Sequence, residues 1–104
     1  MEVWMRNDDD KITIENINTP GRVERVDRAK YLAMKEALIS VLPRTSPGMT
    51  GAEVKTAILP LLPQTLFPEG AKAGWWLKAT QLDLEAKGVI QREHTKPLRL
   101  RRLS

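Results

Sequence analysis

With 104 residues, 41% of them hydrophobic, the chain suffices for one domain with one modest core, and a charged fraction of 29% argues against wholesale disorder. The chain has no cysteine, which excludes disulfides and thiolate metal sites. The net charge of +4 is unevenly spread: residues 1–26 carry four basic and six acidic side chains, whereas residues 88–104 carry five basic and one acidic. Positive charge gathered at one end suits an anionic partner.

Residues 1–10 read as a flexible leader, with Asp8, Asp9 and Asp10 as a solvated acidic run. Acidic residues stand where a signal peptide would carry its apolar segment, so a cytoplasmic location is expected. The most apolar stretch, Ala57 to Leu62, is interrupted by Pro60 and falls far short of the roughly 20 residues that span a bilayer. Residues 11–104 are expected to form a single domain.

From Lys11 the pattern alternates, with Ile12 and Ile14 between polar neighbours, which predicts a short strand over Lys11–Ile17. Pro20 and Gly21 suit the central positions of a type II turn. A first helix is expected from an Asp27 N-cap to Leu42, burying Tyr31, Met34, Leu38, Val41 and Leu42, and Pro43 stops it. Thr50 and Glu53 fit a capping box, flanked by Met49 and Val54 as a hydrophobic staple. The second helix then carries the stripe Val54, Ala57, Ile58 and Leu61, with Pro60 kinking or ending it.

Pro63 to Lys72 reads as a connection, followed by a third helix from Ala73 to Lys87 closed by Gly88. Trp75, Ala79, Leu82 and Ala86 make one apolar line on it and Leu77 and Leu84 a second. Gly74, Lys78, Gln81 and Glu85 are expected on the opposite side. Two strands follow, Val89–Arg92 and Leu98–Arg101, with Leu98 and Leu100 inward and Arg99 and Arg101 outward. These elements define a mainly α domain with a small antiparallel sheet, of the α+β class.

The order helix, capped helix, longer helix, hairpin resembles a winged helix-turn-helix domain over residues 27–103. The segment Leu84-Glu85-Ala86-Lys87-Gly88-Val89-Ile90-Gln91-Arg92 carries the likeness, resembling a recognition helix that runs into a first wing strand. The resemblance implies three helices, a C-terminal β-hairpin wing and a short N-terminal strand. The chain is also similar to a family of small bacterial proteins of unknown function, on the stretches Glu15–Gly21, Gly70–Trp76 and Gln81–Gly88. That likeness implies an independent domain and no particular activity. One feature departs from the helix-turn-helix pattern, in which a turn of about three or four residues joins the second and third helices: here Pro63–Lys72 intervenes.

No catalytic residue, cofactor or metal site is expected. His94 is the single histidine, and Ser40, Ser46 and Ser104 have no base nearby in sequence. Asp83 and Glu85, two apart on a helix, point in different directions. The glycine-flanked start of the third helix, with Lys72, is a candidate phosphate site. Lys78 and Gln81 could read base edges, while Arg92, Lys96, Arg99 and Arg101 form a basic wing against the phosphate backbone. Asp83 and Glu85 oppose this by repelling phosphates. Trp75 is assigned to the core, and Trp76 to a partly exposed partner surface.

The leading expectation is a nucleic-acid-binding domain, with double-stranded DNA as partner and a role in transcriptional regulation. The alternative is a protein-interaction or homodimerisation module, using Trp76 and the strand Lys11–Ile17, which could add to the wing sheet within or between chains. No membrane or small-molecule substrate is expected as a partner.

Overall fold

In the computed structural model residues 10–103 are described, so the expected leader lies almost wholly outside them. Alternation builds the first strand, β1 (Lys11–Glu15), and it pairs with a second strand, β2 (Val23–Asp27), in register from Lys11 opposite Asp27 to Glu15 opposite Val23. The sequence Val-Glu-Arg-Val-Asp lacks the period-2 pattern that would have announced β2. Within the chain β1 thus pairs with β2 and does not add to the wing sheet. Ile12, Ile14 and Val26 face the core. Two turns connect the strands: the Thr19 amide donates to the Asn16 carbonyl (3.0 Å), and the Arg22 amide donates to Thr19 across Pro20-Gly21 (3.1 Å). Gly21, at φ +90°, supplies the conformation that a type II turn requires.

Asp27 ends β2 and caps the first helix, α1 (Arg28–Val41), its carboxylate accepting from the Lys30 amide at 2.9 Å. The helix buries Tyr31, Met34, Ala37 and Leu38, and Leu42 follows it into the core before Pro43. A two-residue strand, β3 (Met49–Thr50), leads into the second helix, α2 (Gly51–Ile58), through the expected capping box. The Glu53 amide donates to Thr50 Oγ1 (3.1 Å) and the Thr50 amide to Glu53 Oε1 (2.9 Å). This backbone bond holds the Glu53 carboxyl below its usual pKa.

Pro60 cannot donate an α-helical bond, and the chain tightens into a 3₁₀ turn over Leu59–Leu61. The change of pitch corrects the predicted stripe: Leu61 is exposed and Leu62 takes the buried position. The connection that follows is anchored rather than loose, because Phe67 is fully buried before a 3₁₀ turn at Pro68–Gly70.

The third helix, α3 (Ala73–Ala86), ends in a Schellman motif: the Val89 amide bonds the Leu84 carbonyl (2.9 Å) and the Gly88 amide bonds Glu85 (3.1 Å), with Gly88 at φ +74°. Two strands remain, β4 (Ile90–Glu93) and β5 (Arg99–Arg102), and the sheet order is β3-β5-β4, antiparallel throughout. The loop before β3 lies tightly on β5, since a Cβ at Gly48 (φ +88°) would stand 2.1 Å from the Leu100 carbonyl oxygen. The domain thus has three helices and two small antiparallel sheets among its described residues. Met34, Leu38, Val54, Ile58, Leu84 and Ile90 lie at the centre of the core.

One buried carboxylate ties the layers together. Asp83 Oδ1 accepts from the Glu15 amide of β1 (2.8 Å) and from Lys87 Nζ (2.6 Å), while Oδ2 accepts a short bond from the Tyr31 hydroxyl of α1. Burial, with the Asp83 bond and charge added to it, pushes the Tyr31 phenol well above its ordinary pKa. Two predictions follow from this arrangement. Asp83→Ala should destabilise the fold by about 2–4 kcal/mol and Tyr31→Phe by about 1–2 kcal/mol, measured by denaturant unfolding. Below pH about 10 both folded and unfolded chains keep the phenolic proton, so stability is unaffected there; above it the unfolded chain loses the proton first and stability falls as pH rises. Tyr31 is the sole tyrosine of the chain, so tyrosinate absorbance should appear only together with unfolding; ordinary titration in the folded protein would contradict the assigned bond.

Candidate nucleic-acid interface

The pleat sorts the wing side chains onto two faces. In the β4–β5 register Ile90 lies opposite Arg102 and Arg92 opposite Leu100, so these four share the inward face. Gln91 opposite Arg101 and Glu93 opposite Arg99 form the outward face. Arg99 and Arg101 therefore point outward as expected, and Leu100 is buried.

Arg92 points inward, which corrects its assignment as a phosphate contact. Its guanidinium grips Glu85 of α3 with both branches, Nε to Oε1 at 2.5 Å and Nη2 to Oε2 at 3.0 Å. Gln81 completes the group by donating Nε2 to Glu85 Oε2 at 2.8 Å. Gln81 is buried beneath the wing and reaches no solvent-facing groove, so its base-reading role is also corrected. The objection raised by the acidic residues also falls away, because Asp83 and Glu85 are both buried, paired with Lys87 and Arg92 of the chain itself.

The outward arginines are partly engaged. Arg99 Nη1 donates to the Gly48 carbonyl at 3.1 Å and stands 3.8 Å from Glu53 Oε1. Arg101 bonds Glu93 through Nε (2.8 Å) and the Arg44 carbonyl through Nη1 (3.2 Å). The Arg101 bond lowers the pKa of the Glu93 carboxyl. A guanidinium carries five donors, so each arginine keeps free N–H groups toward solvent. Lys96 is exposed between the strands, as is His94. No group of three or more His, Asp or Glu side chains among the described residues converges as a metal site.

At the other end of the surface, Lys72 and Lys78 are exposed as expected. Lys72 occupies the cap of α3 in the left-handed region (φ +59°), with no side chain closing the first helical amides. Lys55 of α2 comes beside this helix start, its Nζ 3.5 Å from where a Cβ on Gly74 would stand. The sequence offered no signal for Lys55, because its nearness to Gly74 depends on how α2 packs on α3.

The tryptophans are exchanged relative to expectation. Trp76 is buried (7% exposed) and Trp75 half exposed (50%). Leu77, Leu82 and Leu84 of α3 are buried as expected, but Ala73, Trp76 and Thr80 join them in place of Trp75 and Ala86, which are exposed. Phe67 in the connection supplies the reason, meeting Trp76 edge to face at 6.5 Å, while the exposed Trp75 also meets Trp76 edge to face, at 5.0 Å. Trp76 is therefore withdrawn as a partner surface, and Trp75 is the exposed ring.

Residues 11–100 match the profile of a family described as a family of unknown function, DUF6958. The chain belongs to DUF6958. No curated protein and no solved structure matches the chain. The DUF6958 domain matched includes every element from β1 to the start of β5, so the N-terminal hairpin is part of the family's domain. None of its described helices is long and apolar enough to cross a membrane.

The two roles of arginine in the wing are separable by mutation. Arg92→Ala leaves the buried Glu85 without its cation and should lower the thermal midpoint by roughly 5–15 °C. Arg101→Ala breaks a surface contact and should lower it by less than about 4 °C in the same circular-dichroism melts. Equal losses would mean that Arg92 is not the structural member of the pair.

Proposed function

We propose that the DUF6958 domain is a winged-helix module that binds the nucleic-acid backbone, with double-stranded DNA as its partner and transcriptional regulation as its setting. Support comes from the order α1, β3, α2, α3, β4, β5 with the sheet order β3-β5-β4, in which β4 and β5 would be the wing and α3 the recognition helix. The observation that carries the reading is the charge on α3. With Asp83 and Glu85 buried, its exposed residues are Gly74, Trp75, Lys78 and Ala86, and their one charge is positive.

The hairpin β1–β2 stands against the C-terminal half of α3, where the Ile17 amide bonds the Leu82 carbonyl (3.3 Å) and the Glu15 amide bonds Asp83. Only the N-terminal half of α3 is open to a groove, the half from which recognition helices contact bases. The contact set is accordingly Lys72 and Lys78 on α3 with Lys96, Arg99 and Arg101 on the wing. A protein-interaction or homodimerisation module is the second reading, favoured by the exposed Trp75.

Five phosphates neutralised by these five side chains give a slope of log K against log salt of about −4.5. Fluorescence anisotropy of a labelled mixed-sequence duplex, at roughly 50 and 200 mM salt, should then show affinity falling by several hundredfold. Lys72→Ala with Lys78→Ala should flatten the slope to about −2.7, whereas Arg92→Ala should leave it unchanged. Absence of binding at the lower salt overturns the nucleic-acid reading. Light scattering then distinguishes a dimer from a monomer that awaits a different protein.

A further inference from the structure

A cleft of about 330 Å³ lies between the β1–β2 hairpin and the exposed side of α3. Its floor is apolar, formed by Ile14, Ala79 and Leu82, and the half-exposed Trp75 forms one wall. The volume is at the lower end of the range of small-molecule sites, which combine such apolar walls with a few convergent polar groups.

The polar groups are specified by the hairpin's register. Ile14 and Glu24 are directly opposite each other, so their side chains share one face, and Ile14 is buried on the side of the core. Glu24 therefore leans toward α3, with its exposed carboxylate at the rim of the cleft. The same alternation, continued into the connection, brings Asn16 and Arg22 to this side, and Lys78 faces them from α3. Among the described residues Arg22, Glu24 and Lys78 form no ion pair with one another or with any other side chain. On the hairpin face turned to α3, one carboxylate and two cations are thus held around an indole-walled space without satisfying each other. Glu15, the other acidic residue of the lining, lies opposite Val23, so the pleat turns its side chain to the other face.

We infer that this cleft binds a small zwitterion bearing an aromatic ring, of the chemical class of a free aromatic amino acid. The ring lies against Trp75 over the apolar floor. The ligand's carboxylate meets Arg22 and Lys78, and its ammonium group meets Glu24. A purely anionic ligand would leave Glu24 facing like charge, and a purely cationic one would leave Arg22 and Lys78 so. A ligand with both charges accounts for all three side chains.

The test uses the full chain and three matched probes: L-phenylalanine, phenylacetate, which lacks the ammonium group, and phenethylamine, which lacks the carboxylate. Amide chemical-shift titrations should show L-phenylalanine perturbing the segment 14–24, residues 75–82 and the Trp75 indole N–H. Each single-charge probe should bind about tenfold more weakly or worse. Glu24→Gln should weaken L-phenylalanine and leave phenylacetate unchanged, and Lys78→Gln should weaken L-phenylalanine and leave phenethylamine unchanged. Both substitutions are at exposed positions, and unaltered spectra elsewhere confirm that the variants fold. Phenylacetate or phenethylamine binding as tightly as L-phenylalanine overturns the inference. So does the absence of perturbation with L-phenylalanine at about 10 mM, a concentration that would reveal even a millimolar site. Neither result bears on the salt dependence of DNA binding, so the two readings fail separately.

Discussion

Asp83 is buried where three elements meet, and its carboxylate satisfies a donor from each side. The Glu15 amide comes from the hairpin, the Tyr31 hydroxyl from α1, and Lys87 from the next turn of α3. A carboxylate removed from water is costly unless its acceptors are filled, so these donors cannot be rearranged independently. The rotation of α3 about its own axis depends on this constraint: with Asp83 and Leu84 turned inward, Trp76 faces Phe67 and Trp75 is left outside. The seating of the hairpin depends on it as well, because the Asp83–Glu15 bond and the neighbouring Ile17–Leu82 bond join β1 to α3.

A second carboxylate, Glu85, does for the wing what Asp83 does for the hairpin. Arg92 and Gln81 converge on it, and β4 is thereby fastened to α3 by charge as well as by Ile90 in the core. The outcome for the surface follows from geometry. The acidic residues of α3 are consumed inside the domain, and the outer surface of the helix is left with Lys78 as its charged residue. An apparent balance of charges along the helix becomes a segregation, carboxylates within and lysine without.

The hairpin adds something that the helices and wing alone would lack. It covers the C-terminal half of α3 and, by standing away from the N-terminal half, opens the cleft walled by Trp75. The cleft and the proposed backbone-binding surface share Lys78, so a ligand in one would compete for the cation that serves the other. Phe67 contributes from beneath, holding Trp76 and through it Trp75 in place.

Local chemistry was legible in the sequence. The Asp27 cap, the Thr50–Glu53 box, the Pro20-Gly21 turn, the Pro60 break and the Gly88 terminus all stand where their residue types require, because each depends on neighbours within a few positions. Strand alternation likewise settled that Leu100 is inward and Arg99 and Arg101 outward. What only the tertiary structure decided is whatever rests on contacts between distant segments. β2 has no alternation of its own and exists because β1 offers a pairing edge. The choice between Trp75 and Trp76 turned on Phe67, and the fates of Gln81, Asp83, Glu85 and Arg92 turned on which donors and acceptors other elements brought to them. Polar side chains look alike along a sequence whether they meet water or one another, and burial, which separates the two, is a property of the assembled fold.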